Sequence, residues 1–245
     1  MLIAYLGLTH LGQTLRAAAK AHGMKTINLE EPGQPRPDLI FLTRDVETPR
    51  DEDKIRKDIN FIIADLPYSL IDIPVVIVSQ VGPGFARKAR AKLSSIVKLY
   101  TQVDTLIMDR AMDRAMNPEQ IIIGCEDFKA DLPAAYANYC LAFGCPIIKM
   151  SYESAEFAKL AINFHLAAQV KTAIELSEAA ETTGADWTAV SRAMKGDARI
   201  GPKSYLEPGP VIGGHIPRDV RRINDILVSS RFAAEIENAC EEEKE

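Results

Sequence analysis

The stretch from Ser154 to Gly184 constrains the fold of this chain most strongly, because it contains no proline and repeats apolar residues at helical spacing. Ser154 predicts the N-cap of a helix and Gly184 its C-terminal cap. At 1.5 Å per residue this helix is roughly 42 Å long, so we expect it to cross the molecule. Its many alanines predict close packing against another helix, in a homodimer. The repeating apolar positions are Phe157, Leu160, Ala161, Phe164, Ala168, Ile174 and Leu176.

Two polar residues, Lys159 and Asn163, stand four positions apart on this predicted helix. Side chains at that spacing project from one face of a helix, about one turn from each other. Apolar residues surround the pair in the sequence. The residues alone leave two interpretations open, a solvated helix face or a functional pair.

The N-terminus has the order of a dinucleotide-binding βαβ unit. An apolar strand at 2–6 is followed by a glycine-containing turn, a helical pattern and a second strand at 25–29. Glu30 follows the second strand, where an acidic residue binds the ribose hydroxyls. Thr9 replaces the middle glycine of the usual pattern, and its Cβ limits how closely a phosphate approaches the backbone. The turn expected to face the pyrophosphate consists of Gly7, Leu8, Thr9, His10, Leu11 and Gly12.

Apolar strands and helical segments alternate up to about Lys149, and the chain after that point has helical patterns. The alternation predicts an α/β fold. We expect a Rossmann-like, mostly parallel sheet domain at 1–150, then a long central helix and a small all-helical dimerisation domain at 151–240, and a charged tail at 241–245. The turn from Gln80 to Gly84 follows a predicted strand at 74–79, so it forms either a ligand crevice or a plain tight turn.

The segment from Arg199 to Asp219 alternates glycine and proline with isoleucine, valine and histidine. This composition favours a backbone shaped around a ligand over a plain linker. Asp219 lies just inside a helix start marked by Pro217. There it either belongs to a site or stabilises the helix dipole.

Charge and composition exclude several classes of function. The 29 basic and 34 acidic residues argue against nucleic acid as the main partner. No apolar run reaches the length of a membrane span, and the N-terminus lacks the pattern of a signal peptide, so we expect a cytoplasmic protein with no membrane partner. The cysteines and histidines show no metal-ligand spacing, so we expect reduced thiols and no metal site.

Several motifs resemble the UDP-glucose/GDP-mannose dehydrogenases. The specific ones are SAEFAKLAIN at 154–163, DARIG at 197–201, and the segment that begins PGP at 208–210 and ends at Asp219. The N-terminal turn, Thr48–Pro49, the turn at 79–84 and NPEQIIIG at 117–124 are similar as well, in the same order. The resemblance therefore covers nearly the whole chain.

The resemblance implies NAD as cofactor and a nucleotide sugar as substrate, oxidised at a primary alcohol to a carboxylate in two hydride transfers by a dimer built on the central helix. It implies that Lys159 and Asn163 hold the developing oxyanion and an ordered water, that Asp219 assists proton transfer, and that Arg199 reaches into the partner's sugar site. Implied cofactor contacts are Gly7, Thr9, His10, Leu11, Gly12, Glu30, Thr48, Pro49 and Gln80, and implied substrate contacts are Arg199, Gly213 and Gly214.

The sequence departs from the resembled family at chemically important places. The family's Gly-Gly-x-Cys-x-Pro-Lys-Asp is GGHIPRD at 213–219, one residue shorter and without the cysteine. His215 stands in this loop, but imidazole is a poor substitute for the thiolate that captures the aldehyde. Asp104 falls where the family has a catalytic glutamate and Gln80 where it has a threonine. We expect the family's C-terminal nucleotide-sugar domain to be missing, and the segment 29–38 is shorter than in the family, so we expect at most one alcohol–aldehyde step.

Two other functions stay open at this point. The first is a catalytically inactive dimeric pseudoenzyme that binds ligands or acts as a scaffold. The second is a dehydrogenase of the β-hydroxyacid type, which also pairs lysine and asparagine on a helix. The segments 199–201 and 213–214 argue against the second.

Overall fold

A computed structural model describes residues 1–46, 52–64, 72–93, 97–106, 110–210 and 215–241. The chain forms two compact units, Met1–Lys159 and Leu160–Glu245. The predicted cofactor contacts Thr48 and Pro49, and the predicted substrate contacts Gly213 and Gly214, lie outside the described residues.

The first unit is built on one sheet of seven strands in the order β2-β1-β3-β4-β5-β6-β7. All neighbouring pairs are parallel except β5 and β6, which are antiparallel. The predicted mostly parallel α/β sheet is therefore confirmed. The strands are β1 Leu2–Leu6, β2 Lys25–Asn28, β3 Leu39–Leu42, β4 Val75–Ile77, β5 Leu99–Gln102, β6 Ile121–Cys125 and β7 Ile147–Ser151.

Helices pack on both faces of this sheet. Successive residues of a strand point to opposite sides, so neighbouring residues of β3 show which helices lie on each face. Phe41 of β3 packs in a cluster with residues of α1 and α5, whereas its neighbours Ile40 and Leu42 pack with residues of α2 and α3. All four residues of β3 are buried, as expected for a central parallel strand. The helices of this unit are α1 His10–Ala21, α2 Glu52–Ala64, α3 Phe85–Ala91, α4 Ala111–Met116 and α5 Ala134–Leu141.

The connection from β2 to β3 contains no helix, as its length predicts. Asp38 ties the end of this connection to β1, because its carboxylate accepts a hydrogen bond from the Leu2 amide at 2.7 Å. The strand order β2-β1-β3 therefore forms without the usual crossover helix.

The long helix α6 runs from Tyr152 to Thr183 and begins earlier than predicted. The predicted N-cap, Ser154, lies inside the first turn, and its amide donates to the Ser151 hydroxyl at 3.2 Å. The end of the helix agrees with the prediction. Gly184 has φ +71°, and the amide of Ala185 bonds back to the Ala180 carbonyl at 2.9 Å, which closes the last turn.

The second unit contains the remainder of α6 and three further helices, α7 Trp187–Gly196, α8 Ile216–Leu227 and α9 Arg231–Glu241. Its core joins Ala167 and Val170 of α6 to Val220 of α8 and Ile236 of α9. Helix α8 begins at Ile216 and has Pro217 in its first turn, which agrees with the helix start that Pro217 predicts. Within the described ranges, no helix is long and apolar enough to cross a membrane.

Candidate functional site

The glycine turn after β1 is packed against the end of β3. Gly7 has φ +77°, a conformation that other residues rarely adopt. Gly12 lies so close to β3 that an added Cβ would stand 2.3 Å from the Thr43 hydroxyl oxygen. Thr43 in turn donates to the carbonyl of Gly7 at 3.0 Å. Both glycines are therefore required by the packing of the turn itself.

Thr9 packs in this turn without capping the N-terminus of helix α1. Its hydroxyl donates to the Thr43 carbonyl at 2.7 Å and makes no capping bond to the helix. The first turn of α1 also carries no acidic residue. The amides of His10, Leu11 and Gly12 thus belong to a helix N-terminus that no side chain caps, which suits a pyrophosphate. The predicted cofactor residues of this turn fit such a group.

Glu30 follows β2 and is held by a residue that the sequence analysis missed. Arg44, directly after β3, donates to the Glu30 carboxylate at 2.8 Å and to Asp58 of α2 in a shorter contact. Asp58 is buried, and burial raises its pKa although the guanidinium opposes this. The clue in the sequence was positional. An arginine at the carboxyl end of a central parallel strand lies at the edge where ligands bind.

A second polar group lies at the carboxyl ends of β4 and β5. The Gln80 amide donates to the Asp104 carboxylate at 2.6 Å, and the other carboxylate oxygen accepts from the Leu106 amide at 2.8 Å. Gln80, Asp104 and Lys159 line a cavity of about 30 Å³. The buried Thr101 hydroxyl also lines it and has no hydrogen-bond partner within the described part of the chain. The cavity is large enough for about one water molecule.

Glu156, one turn before Lys159, fixes the loop between β4 and α3. Its buried carboxylate accepts hydrogen bonds from the amides of Gly84 at 2.6 Å and Ala86 at 2.8 Å. This carboxylate caps the N-terminus of α3, so that helix end is not open to an anionic ligand. Sequence analysis missed Glu156 because its partners lie 70 residues or more away in the chain.

The second unit holds a buried ionic cluster at the start of α8. Asp219 is completely buried and accepts from Asn163 at 2.6 Å and from two nitrogens of Arg218 at 2.7 and 2.9 Å. Arg218 also contacts Nδ1 of His215 at 3.2 Å. A guanidinium only donates, so this contact requires Nδ1 of His215 to be unprotonated. Asn163 is thus a buried partner of Asp219 rather than part of a solvated helix face.

The described part of the glycine- and proline-rich segment borders a cavity of about 380 Å³ within the second unit. Tyr205, Pro210 and Ile216 contribute to its mostly apolar wall. Arg199, the predicted substrate contact, lies on the surface instead. Its side chain is 89% exposed and is paired with Asp197 at 2.6 Å, which lowers the pKa of that carboxyl.

None of the three cysteines of the first unit has the lowered pKa of a nucleophile. Burial raises the pKa of Cys125 and Cys145 above the usual value, and it raises that of Cys140 to about 12. In the described ranges, no group of three His, Cys, Asp or Glu side chains is placed to hold a metal ion.

We expect Cys140 to resist alkylation by iodoacetamide in the native protein at pH 7.5. A thiol with a pKa near 12 is a thiolate in roughly one molecule in ten thousand or fewer at that pH. Mass spectrometry after a timed reaction measures this, with the urea-unfolded chain as the control. Native Cys140 that reacted as fast as the unfolded thiol would contradict the expectation.

The fold and the glycine turn together define a structural class: a Rossmann-like sheet unit followed by a long helix and a helical second unit. Residues 153–243 match the model of the UDP-glucose/GDP-mannose dehydrogenase family, central domain. This match confirms the resemblance to the family that the motifs predicted.

Individual relatives agree with this assignment. The chain is 32% identical over 136 residues to UDP-glucose 6-dehydrogenase TuaD of Bacillus subtilis, covering 55% of this chain and 29% of that protein. It is 24% identical over 245 residues to the UDP-glucose 6-dehydrogenase of Rickettsia typhi, covering 92% of this chain and 53% of that protein. The fold matches a UDP-glucose dehydrogenase structure from Pyrobaculum islandicum with a TM-score of 0.72 at 18% identity, covering 98% of this chain and 68% of that one. The chain spans about half or less of the length of these two curated relatives.

Proposed function

We propose that this protein is an NAD-dependent oxidoreductase of the nucleotide-sugar dehydrogenase type that carries out one reversible alcohol–aldehyde step. The observation that supports this most is the placement of Lys159, Asp104 and Gln80 around one small cavity at the carboxyl ends of β4 and β5. The glycine turn after β1 lies at the same edge of the sheet, because β1 to β5 are all parallel. This edge is where open α/β sheets bind dinucleotides.

In this proposal the turn from Gly7 to Gly12 holds the pyrophosphate through the uncapped start of α1, and Glu30 serves the ribose. Bound NAD supplies the hydride acceptor. The residues of the chain do the rest: the Lys159 ammonium stabilises the negative charge that develops on the alcohol oxygen. Asp104 takes up the hydroxyl proton, directly or through one water in the cavity. The substrate thus loses a proton and a hydride and becomes an aldehyde.

The limit to a single step follows from the missing nucleophile. Further oxidation in this family needs a thiolate that captures the aldehyde, and no cysteine occurs between Gly201 and Asp219. His215 does not replace it, because an adduct through imidazole would not give a stable thioester. Asn163 and Asp219 keep their predicted roles in the oxyanion and proton steps, and Arg199, Gly213 and Gly214 their predicted contacts with a nucleotide sugar.

Homodimer formation is part of the proposal. Several large apolar side chains of the second unit are exposed, and exposed apolar patches are typical of protein–protein interfaces. They include Leu176, Ile226, Leu227, Val228 and Phe232. Sedimentation of the purified chain measures the mass directly, and a monomer at micromolar concentration would contradict this part.

A pseudoenzyme is the second candidate, and a specific observation favours it. Both oxygens of Asp104 already accept hydrogen bonds from the protein, and so do both oxygens of Asp219. A substrate hydroxyl would have to compete with these protein donors for the same carboxylate oxygens.

The two candidates predict different results with NAD and a panel of nucleotide sugars. For the enzyme we expect absorbance at 340 nm to rise, with aldehyde and no acid as product. Lys159→Met should lower kcat by about 100-fold or more, while Lys171→Met, on the same helix, should leave it unchanged. Calorimetry that detects NAD binding without turnover would instead support the pseudoenzyme, and acid formation would contradict the single-step limit.

A further inference from the structure

We propose that Arg44 determines how the cofactor site responds to a phosphate on the adenosine ribose. The site then accepts nicotinamide dinucleotides both with and without a 2′-phosphate. This inference rests on the proposed function, because it takes the turn after β1 to be a dinucleotide site. We call Glu30, Arg44 and Asp58 the ribose charge cluster.

The position of the ribose charge cluster follows from the order of three parallel strands. Glu30 follows β2, Gly7 follows β1 and Arg44 follows β3, and β1 lies between the other two strands. The stem of Arg44 runs across Gly7, since a Cβ added to that glycine would stand 2.2 Å from the Arg44 Cγ. The guanidinium is thereby carried from the end of β3 to the carboxylate that follows β2.

The charge of Arg44 changes which ribose groups can bind beside Glu30. A lone carboxylate at this position binds a ribose hydroxyl and repels a 2′-phosphate, whereas a nearby arginine accommodates the phosphate. Here the two are joined: Nη2 of Arg44 donates to Glu30 at 2.8 Å and offsets its charge. The side chains of Arg44 and Glu30 are 30% and 39% exposed, so a ligand can reach both.

Asp58 holds the Nε side of the Arg44 guanidinium, so that Nη1 can face a ligand. It accepts from Nε of Arg44, and its own side chain is only 10% exposed. Hydrogen bonds to Asp58 and Glu30 raise the pKa of Arg44, so the guanidinium is always charged. Among the residues that the structure describes, Nη1 of Arg44 has no hydrogen-bond partner. A guanidinium anchored at one side and open at another suits a phosphate oxygen.

Calorimetric titration of the full chain with NAD and with NADP tests the proposal. We expect the two dissociation constants of the unmodified protein to agree within about tenfold. Arg44→Met should weaken NADP binding by about tenfold or more and leave NAD binding unchanged or stronger, because Glu30 then acts alone. Glu30→Gln should act in the opposite sense and weaken NAD more than NADP. Arg231→Met, an exposed ion-paired arginine of the second unit, is the matched control and should change neither value.

The possible results separate this proposal from the one it rests on. NAD binding with NADP more than about 100-fold weaker in the unmodified protein would overturn the role of Arg44 but not the proposed function. Equal weakening of both nucleotides by Arg44→Met would show that the arginine only supports the turn. Should that variant fail to fold, Arg44→Lys and Glu30→Gln decide the question, since the lysine should retain NADP binding. Failure of the unmodified protein to bind either nucleotide would overturn both proposals.

Discussion

Replacing Asp219 by alanine is expected to lower the free energy of unfolding by about 3–5 kcal/mol. Asp219 is completely buried, and the Arg218 side chain that it neutralises is only 13% exposed. Removing the carboxylate takes this counter-charge away from a largely buried guanidinium, and it takes this acceptor away from the Asn163 amide. A loss of this size is a large fraction of the stability of an ordinary domain.

Urea denaturation followed by circular dichroism measures the effect, with Asp225→Ala as the control. Asp225 lies on the same helix but is exposed, so its replacement should change stability by less than about 0.5 kcal/mol. The double variant Arg218→Met with Asp219→Leu should regain the part of the loss that comes from the broken ion pair, because a buried ion pair is often replaced by apolar residues without penalty. The part that comes from the Asn163 amide should remain. Equal effects of Asp219→Ala and Asp225→Ala would show that the cluster contributes nothing to stability.

The second large effect is expected at Gly124 of β6, where alanine should destabilise the protein by about 1–3 kcal/mol. An added Cβ would lie 2.2 Å from the Thr101 hydroxyl oxygen, 2.8 Å from the Cβ of Ala155 and 3.1 Å from the Cα of Tyr152. The last of these atoms is backbone, so the start of α6 has to move away from the sheet.

Gly196→Ala is the matched control, with an effect of opposite sign. An added Cβ there meets nothing within 4 Å, and the residue lies in α7. Alanine restricts the unfolded chain and should stabilise the protein by about 0.4–1 kcal/mol. Thermal unfolding of both variants makes the comparison. A Gly124→Ala protein as stable as the parent would show that β6 and α6 are less tightly packed than the distances imply.

Sequence reasoning located the elements of this fold well because burial dictates their composition. The continuous apolar runs around β3 and β4 are what strands buried on both faces require. The start of α6 was misplaced because two serines, Ser151 and Ser154, both suit an N-cap, and only the fold shows which one accepts the bond. The antiparallel arrangement of β5 and β6 has no counterpart in the local sequence pattern.

Sequence reasoning could propose only those site residues whose chemistry depends on the residue itself and not on its partners in the fold. Sequence reasoning singled out Glu30 and Lys159, and the family resemblance singled out Asp104 and Gln80. Neither predicted the contact between Glu30 and Arg44 or that between Asp104 and Gln80. Arg44 and Glu156 depend on long-range contacts, such as the one between Glu156 and Gly84, 72 residues apart. Which amide or guanidinium satisfies a buried carboxylate depends on the folded arrangement, and no local pattern specifies it.

Strands β6 and β7 run in the opposite direction to β1–β5. Their direction determines how α6 approaches the edge of the sheet where β1–β5 have their carboxyl ends. In an all-parallel sheet, the helix after the last strand would start at the ligand edge and lead away from it. Here α6 leaves β7 at the opposite edge: Tyr152 bonds to the carbonyl of Leu99, where β5 begins, and Lys159 lines the cavity beside Asp104, just past the end of β5. The ammonium group of Lys159 is therefore positioned by the third turn of a helix that runs alongside the sheet, and not by a loop. Deleting or inserting one residue between Tyr152 and Lys159 would rotate the lysine by about 100° around the helix axis and remove it from the cavity.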